Sequence, residues 1–302
     1  MLDCVIIGGG PAGLTAAIYL ARFHLSVLVV DRGDGRALSI PRSHNHAGFP
    51  DGIAGAHLIA LMTEQALKYG ARIAKGQVTQ LHLLSDGNFN CEWDGNSYAA
   101  RKVLLATGVV NRRPMIDDAT HDEGLLRGLI RYCPVCDGYE VTDQAVAVVG
   151  SERHGVEEAI FLRSFTRNVT LICPYGTHRL SEELRERCET AGIKVMDGPI
   201  HAFILLDDKI ALDLPGKQLR FDTLYPALGS DIQSNLAVSL GADVSDEGQV
   251  KVDLQQRTSI RGLYAAGDVV LGLDQISHAM GGGGVAATAI RNDLAQQSPL
   301  LR

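Results

Sequence analysis

Short, almost wholly apolar runs alternate along this chain with glycine turns and longer stretches rich in Ala and Leu. Residues 3–7 (Asp3-Cys4-Val5-Ile6-Ile7) and 26–31 (Ser26-Val27-Leu28-Val29-Val30-Asp31) form two such runs. Near-continuous Val, Ile and Leu is the pattern of a parallel strand buried on both faces. Between them, Gly8-Gly9-Gly10-Pro11-Ala12-Gly13 reads as a turn and residues 14–23 as a helix. The same strand, turn, helix and strand return at residues 144–150, 156–165 and 168–173. Two copies of a βαβ unit predict two nucleotide-type folds, not a solenoid.

A third strand, Leu263-Tyr264-Ala265-Ala266, ends on the pair Gly267-Asp268. A glycine-rich stretch at 281–284 and an Ala-rich helix at 285–294 follow. Domain junctions are expected near Asn111-Arg112-Arg113-Pro114 and Leu228-Gly229-Ser230-Asp231. The expected class is therefore α/β, with two three-layer nucleotide-binding domains, the second inserted into the first. The first would comprise residues 1–112 and 230–302, and the second residues 113–229.

A length of 302 residues fits about two domains. A net charge of -7 argues against nucleic acid or an anionic membrane as the main partner. The N-terminus lacks the basic and long apolar regions of a signal peptide. No apolar stretch approaches the ~18 residues of a membrane span. A cytoplasmic location is the expectation.

Six cysteines are present, and only Cys133 and Cys136 are close in sequence. In a cytoplasmic protein a lone C-x-x-C points to redox or metal chemistry rather than a structural bridge. Zinc would need about four ligands at suitable spacing. Cys173, Cys188 and His178 are not so spaced, and no metal is expected. Cys4, Cys91, Cys173 and Cys188 are expected to pack as buried thiols.

Gly8-x-Gly10-x-x-Gly13 follows a strand and opens a helix. The first glycine permits a tight turn, the second admits a pyrophosphate, and the third lets helix and strand pack closely. Pro11 and Ala12 complete the turn. Asp31, 18 residues past Gly13, can bind an adenosine ribose hydroxyl. This turn alone suits FAD or NAD. The strand ending in Thr107-Gly108 and the pair Gly267-Asp268, whose carboxylate suits a ribityl chain, favour FAD.

These three segments, spread over nearly the whole chain, resemble flavoproteins with two dinucleotide-binding domains. Cys133-Pro134-Val135-Cys136-Asp137-Gly138, just ahead of the second βαβ unit, resembles the thioredoxin reductase family. The resemblance implies a homodimer with FAD beneath residues 8–13. It places Asp268 near the ribityl and pyrophosphate groups, and the Gln275-Ile276 backbone near the flavin ring. It makes Cys136 the flavin-facing thiol and Cys133 the exchanging one, with Asp137 relaying a proton. It also places His44, His46 and His278 near FAD, though a bland role fits each.

The chain departs from the family at its second nucleotide turn, which reads Gly150-Ser151-Glu152-Arg153-His154-Gly155. Glu152 stands where backbone must approach the pyrophosphate, adding a side chain and a like charge. The family's His-Arg-Arg run is replaced by Cys173-Pro174-Tyr175, leaving Arg179 without its fork of guanidinium partners. The expectation is a flavin-dependent disulfide oxidoreductase that does not depend on NADPH. Its redox partner would be a ferredoxin-like protein, a second flavin in the degenerate site, or oxygen. Thioredoxin, another small disulfide protein or a small dithiol would exchange with the cysteine pair. An NADPH-dependent thioredoxin reductase, a dithiol oxidase and a flavin-bearing redox sensor are the competing readings.

Overall fold

The computed structural model describes residues 1–300. The chain opens with β1 (Leu2–Ile7), α1 (Pro11–Arg22), β2 (Val27–Asp31) and α2 (Gly55–Lys68). Next come β3 (Arg72–Lys75), β4 (Gln80–Leu83), β5 (Phe89–Trp93), β6 (Asn96–Leu105) and β7 (Val109–Asn111). The middle third holds α3 (Asp118–Leu126), α4 (Pro134–Asp137), β8 (Ala145–Gly150), α5 (Glu152–Leu162) and β9 (Asn168–Ile172). It continues through α6 (Glu182–Thr190), β10 (Lys194–Met196), β11 (Ala202–Leu205), β12 (Ile210–Leu214), β13 (Lys217–Phe221) and β14 (Thr223–Ala227). The last elements are β15 (Ser230–Ile232), α7 (Asn235–Ser239), β16 (Leu263–Ala265) and α8 (Ile276–Gln297). None of these helices is long and apolar enough to cross a membrane.

Two compact units emerge, the second inserted in the first. The first holds residues 1–40, 46–110 and 232–302; the second holds 41–45 and 111–231. The five residues 41–45, which the sequence reading leaves in the first domain, group with the second.

The first unit is built on a sheet of order β3-β2-β1-β6-β5-β4, with β16 also on β6. β1 lies parallel between β2 and β6, which buries both its edges. Its alternate side chains feed two cores. Cys4 and Ile6 join residues of α1, α2 and α8, while Val5 and Ile7 join Phe89, Cys91 and Trp93 of β5. This explains why β1 and β2 read as continuous apolar runs.

The glycine-rich stretch 281–284 is not a loop: it lies inside α8, so the helix begins nine residues before the predicted start. The reason is close packing. A Cβ on Gly283 would lie 2.2 Å from the Ala12 carbonyl oxygen of α1. Glycine's intrinsic helix cost, roughly 1 kcal/mol relative to alanine, is outweighed there by the approach of two helix backbones.

In the second unit the order β10-β9-β8-β14 is wholly parallel. Val146 and Val148 of β8 point to a core with α5 and α6. Ala147 and Val149 point to one with Ile210 and Leu212 of the antiparallel β11-β12-β13 sheet. Helices, parallel sheet and antiparallel sheet make its three layers. The predicted helix over 156–165 begins instead at Glu152 and ends at Leu162.

Candidate active site

Cys133 and Cys136 are joined by a disulfide, with an S–S distance of 2.11 Å. Cys133 is extended and caps the single turn α4, its Sγ accepting from the Cys136 N–H at 3.1 Å. Pro134 occupies the first helical position, where a missing N–H costs nothing. The segment 41–45 braces this turn: Asn45 Nδ2 donates to the Val135 carbonyl at 3.2 Å.

Asp137 closes the turn with both carboxylate oxygens engaged. Oδ1 accepts from the Tyr225 hydroxyl at 2.7 Å, and Oδ2 accepts from Arg131 Nη1 at 3.1 Å. Burial pushes its carboxyl above the usual range, and the Arg131 charge and the Tyr225 hydrogen bond pull it partly back. Burial first, then the neighbouring Asp137 charge, drives the Tyr225 phenol well up, so it stays a donor. Glu158 of α5 belongs to the same neighbourhood. Burial, and then the Asp137 charge, push its carboxyl up to about 8.

The first glycine turn sits between β1 and α1. Gly8 has φ +107°, and a Cβ there would lie 2.2 Å from the Ala106 carbonyl oxygen. A Cβ on Gly13 would lie 2.0 Å from the Gly8 carbonyl oxygen, so these two glycines serve close packing. A Cβ on Gly10 would meet nothing within 4 Å. The backbone there is open, as a pyrophosphate requires. Helix α1 has no side-chain cap and no acid in its first turn, leaving its N–H groups available to an anion.

Asp31 is held against this turn, its Oδ1 accepting from the Gly9 N–H at 2.8 Å and its Oδ2 from the Gly33 N–H at 3.1 Å. Gly267 has φ +81°, and a Cβ on it would lie 3.0 Å from the Ala12 Cβ, so the Gly267-Asp268 corner and α1 converge. Asp268 pairs with Arg36, whose Nη1 also reaches Asp274 at 2.9 Å. Burial and then the Asp274 charge raise the Asp268 carboxyl, with Arg36 opposing. Thr107 Oγ1 donates to the Gln233 carbonyl at 2.6 Å, and the adjacent Gly108 adopts φ +62°. Gln275 caps α8 and Ile276 begins it. The open Gly10 and the uncapped α1 offer N–H donors to a pyrophosphate, and the Asp31 and Asp268 carboxylates offer acceptors to hydroxyls, a set that fits FAD.

His44 is exposed, His46 stacks on Phe49, and His278 Nδ1 donates to the Leu273 carbonyl at 2.8 Å. His278 also lies within electrostatic reach of Asp268.

The second glycine turn keeps the packing glycines. A Cβ on Gly150 would lie 2.7 Å from the Ala227 carbonyl oxygen, and one on Gly155 would lie 3.0 Å from the Gly150 carbonyl carbon. Glu152 takes the intervening position with φ +54°, a left-handed conformation that favours glycine. It places an acid in the first turn of α5. Arg153 lies 3.8 Å from Glu157 and 3.9 Å from Glu183, and Arg187 grips Glu157 with two hydrogen bonds.

Sequence reasoning missed Arg36, Arg131, Tyr225 and Glu158. Only Glu158 left a usable signal. It stands three residues after Gly155 and four before Leu162, on the buried stripe of α5, whereas its neighbour Glu157 faces outward.

The pyridine nucleotide-disulphide oxidoreductase family matches residues 2–290 of the chain. A thioredoxin reductase of Mycolicibacterium smegmatis is 34% identical over 284 residues, covering 89% of this chain and 88% of the relative. That of Streptomyces coelicolor is 32% identical over 283 residues, covering 89% and 86%. The solved thioredoxin reductase of Streptococcus pyogenes MGAS5005 superposes with a TM-score of 0.89 at 30% identity, covering 98% of this chain and 99% of that one.

Proposed function

Because the chain belongs to the pyridine nucleotide-disulphide oxidoreductase family and is a thioredoxin reductase-like, FAD-dependent disulfide oxidoreductase, we propose that its Cys133–Cys136 pair exchanges electrons with a small disulfide protein or dithiol without efficient use of NADPH. One observation carries the second half of this reading. Glu152, in a left-handed conformation, fills the place of the glycine that would admit a pyrophosphate.

Gly10, the first turn of α1, Asp31 and Asp268 would hold FAD, which when bound supplies a two-electron store for the dithiol. The chain's own residues do the rest. Two electrons and two protons open the disulfide to two thiols. The Cys133 thiolate then attacks a partner disulfide, forming a mixed disulfide and releasing one partner thiolate. The Cys136 thiolate attacks Cys133 Sγ, restoring the internal disulfide and releasing the second partner thiolate, so the electrons balance. Asp137, fixed by Tyr225 and Arg131, holds and returns a proton beside the pair. Run in reverse, the same steps oxidise a dithiol.

The acid at the start of α5 supports the loss of NADPH use, because it occupies the end of the helix dipole that would otherwise favour a phosphate. The acids around Arg153 compete for its guanidinium in the same way. The second reading is an NADPH-dependent thioredoxin reductase. It is favoured by the names of the relatives and by the retained Gly150 and Gly155.

Thiol counting and turnover test the exchange chemistry. Denatured oxidised protein should show two fewer thiols than reduced protein. Cys136→Ser should abolish turnover with a disulfide substrate; full activity in that variant removes the mechanism.

A further inference from the structure

Helix α5 turns one carboxyl inward towards the redox turn. The Glu158 side chain is 13% exposed, and its Oε1 is buried with no hydrogen-bond partner among the described residues. Its Oε2 has His154 Nε2 at 3.9 Å, one turn back on the same helix. Glu140, in the short turn after α4, likewise buries an Oε2 with no partner among the described residues. Asp137 has spent both oxygens on Tyr225 and Arg131. Glu158 and Glu140 thus both lie within electrostatic reach of Asp137, which pairs with Arg131, with a phenol on β14 beside it and an imidazole at the rim. A buried carboxylate without a hydrogen bond is costly, so burial holds Glu158 towards its neutral form.

We propose that Glu158 is a positioning acid for Asp137: neutral, it lets the Asp137–Cys133–Cys136 turn exchange disulfides, and ionised, it suppresses that exchange. The inference rests on the disulfide-exchange reading of the same site. Glu158 neither gives nor takes a proton during turnover. It works through charge. While neutral it adds no charge to those of Arg131 and Glu140 already acting on Asp137. Once ionised it sets a second negative charge beside Asp137, and a like charge opposes thiolate on Cys133 or Cys136, as attacking group in one direction and as leaving group in the other. Its carboxyl is pushed up to about 8 by burial and by Asp137, so this change falls just above neutrality.

Asp137 of α4 faces it and Tyr225 of β14 feels its charge, while Arg131 and Glu140 act on Asp137. His154 shares its helix. Among the acids, Asp137 and Glu140 lie closest in sequence to the cysteines. Glu158 is 22 residues beyond Cys136 in sequence, and no motif marks it.

The test uses the FAD-loaded protein under anaerobic conditions. A small dithiol reduces it, flavin absorbance reports the rate, and pH is scanned from about 6 to about 10. Thiolate chemistry alone predicts a rate that rises with pH to a plateau. The wild type should instead turn down near pH 8, losing about tenfold over the next pH unit or two. Glu158→Gln, whose amide copies the neutral acid, should lose the downturn whatever its absolute rate, and Glu158→Asp should restore it. The same downturn in Glu158→Gln overturns the inference.

A second measurement guards against a variant that does not fold. Infrared spectra of the wild type should lose one protonated-carboxyl band between about pH 7 and pH 9. No loss of such a band in that interval also overturns it. A wild type that shows no dithiol reduction at any pH would sink the disulfide-exchange reading instead, and the infrared band separates the two failures.

Discussion

Tyr225 donates a 2.7 Å hydrogen bond to Oδ1 of Asp137, joining β14, the end strand of the parallel sheet in the second unit, to the residue next to Cys136. The bond stabilises the ionised carboxylate and so lowers its proton affinity. Tyr225→Phe should raise the Asp137 pKa further and cost about 1–2 kcal/mol of stability. The cost should be larger near neutral pH than in acid, where the carboxylate is already protonated. Denaturant unfolding at two pH values measures it; an equal cost at both would show the bond does not depend on the charge.

Glu152 offers a test of local strain. A non-glycine residue in the left-handed region costs about 1–2 kcal/mol, and glycine's greater unfolded-state freedom costs back about 0.5–1 kcal/mol. Glu152→Gly should therefore leave stability unchanged or raise it slightly, while Glu152→Val should lower it by more than 1 kcal/mol or so. The glycine variant should also be reduced by NADPH faster than the wild type, because backbone is bared and a charge is gone. Melting curves and stopped-flow traces of the three proteins check both halves.

Arg36 joins Asp268 to Asp274 through two ion pairs. Removing it leaves two acids facing each other, and the Asp268 carboxyl rises further. Arg36→Ala should weaken FAD retention by roughly tenfold, the loss of one charge-assisted contact. Arg36→Lys should recover part of it. Released FAD after ultrafiltration provides the readout, and undiminished retention in Arg36→Ala would remove this role.

Stability should fall with pH because of Glu158. Its folded pKa, about 8, lies above the ordinary 4.5 of an unfolded glutamate. Below the unfolded value both states are protonated and the contribution is fully present. As pH rises towards the folded value, only the folded state keeps its proton, and the contribution is lost. Glu158→Gln lacks this titration. Its stability relative to the wild type should improve by a few kcal/mol, order of magnitude, between about pH 5 and pH 8. Parallel stability curves for the two proteins would contradict the assignment.

Sequence and structure agree where local chemistry decides. Val5, Val29 and Val148 lie on parallel strands flanked on both edges, so their runs are apolar throughout and legible. Gly8 and Gly13 are legible because backbone geometry forbids side chains there. The 281–284 stretch was misread because glycine's low helix propensity is overridden by α1 lying against Gly283, a contact across nearly the whole chain. Arg131, Tyr225 and Glu158 come to Asp137 from the α3–α4 connection, β14 and α5. No spacing in the sequence announces such a meeting, and only the inward phase of Glu158 on α5 hints at it.

The central claim concerns where electrons enter. Anaerobic stopped-flow mixing of the FAD-loaded protein with tens of micromolar NADPH, and separately with a small dithiol, tests it most directly. Two lost phosphate contacts, each about 1.5–3 kcal/mol, move an ordinary micromolar nucleotide site to roughly millimolar. The dithiol should bleach the flavin in the wild type and fail in Cys136→Ser, while NADPH bleaches it slowly or not at all. Rapid bleaching by NADPH would show that the turn around Glu152 still binds the nucleotide, and the protein would then be an NADPH-dependent thioredoxin reductase.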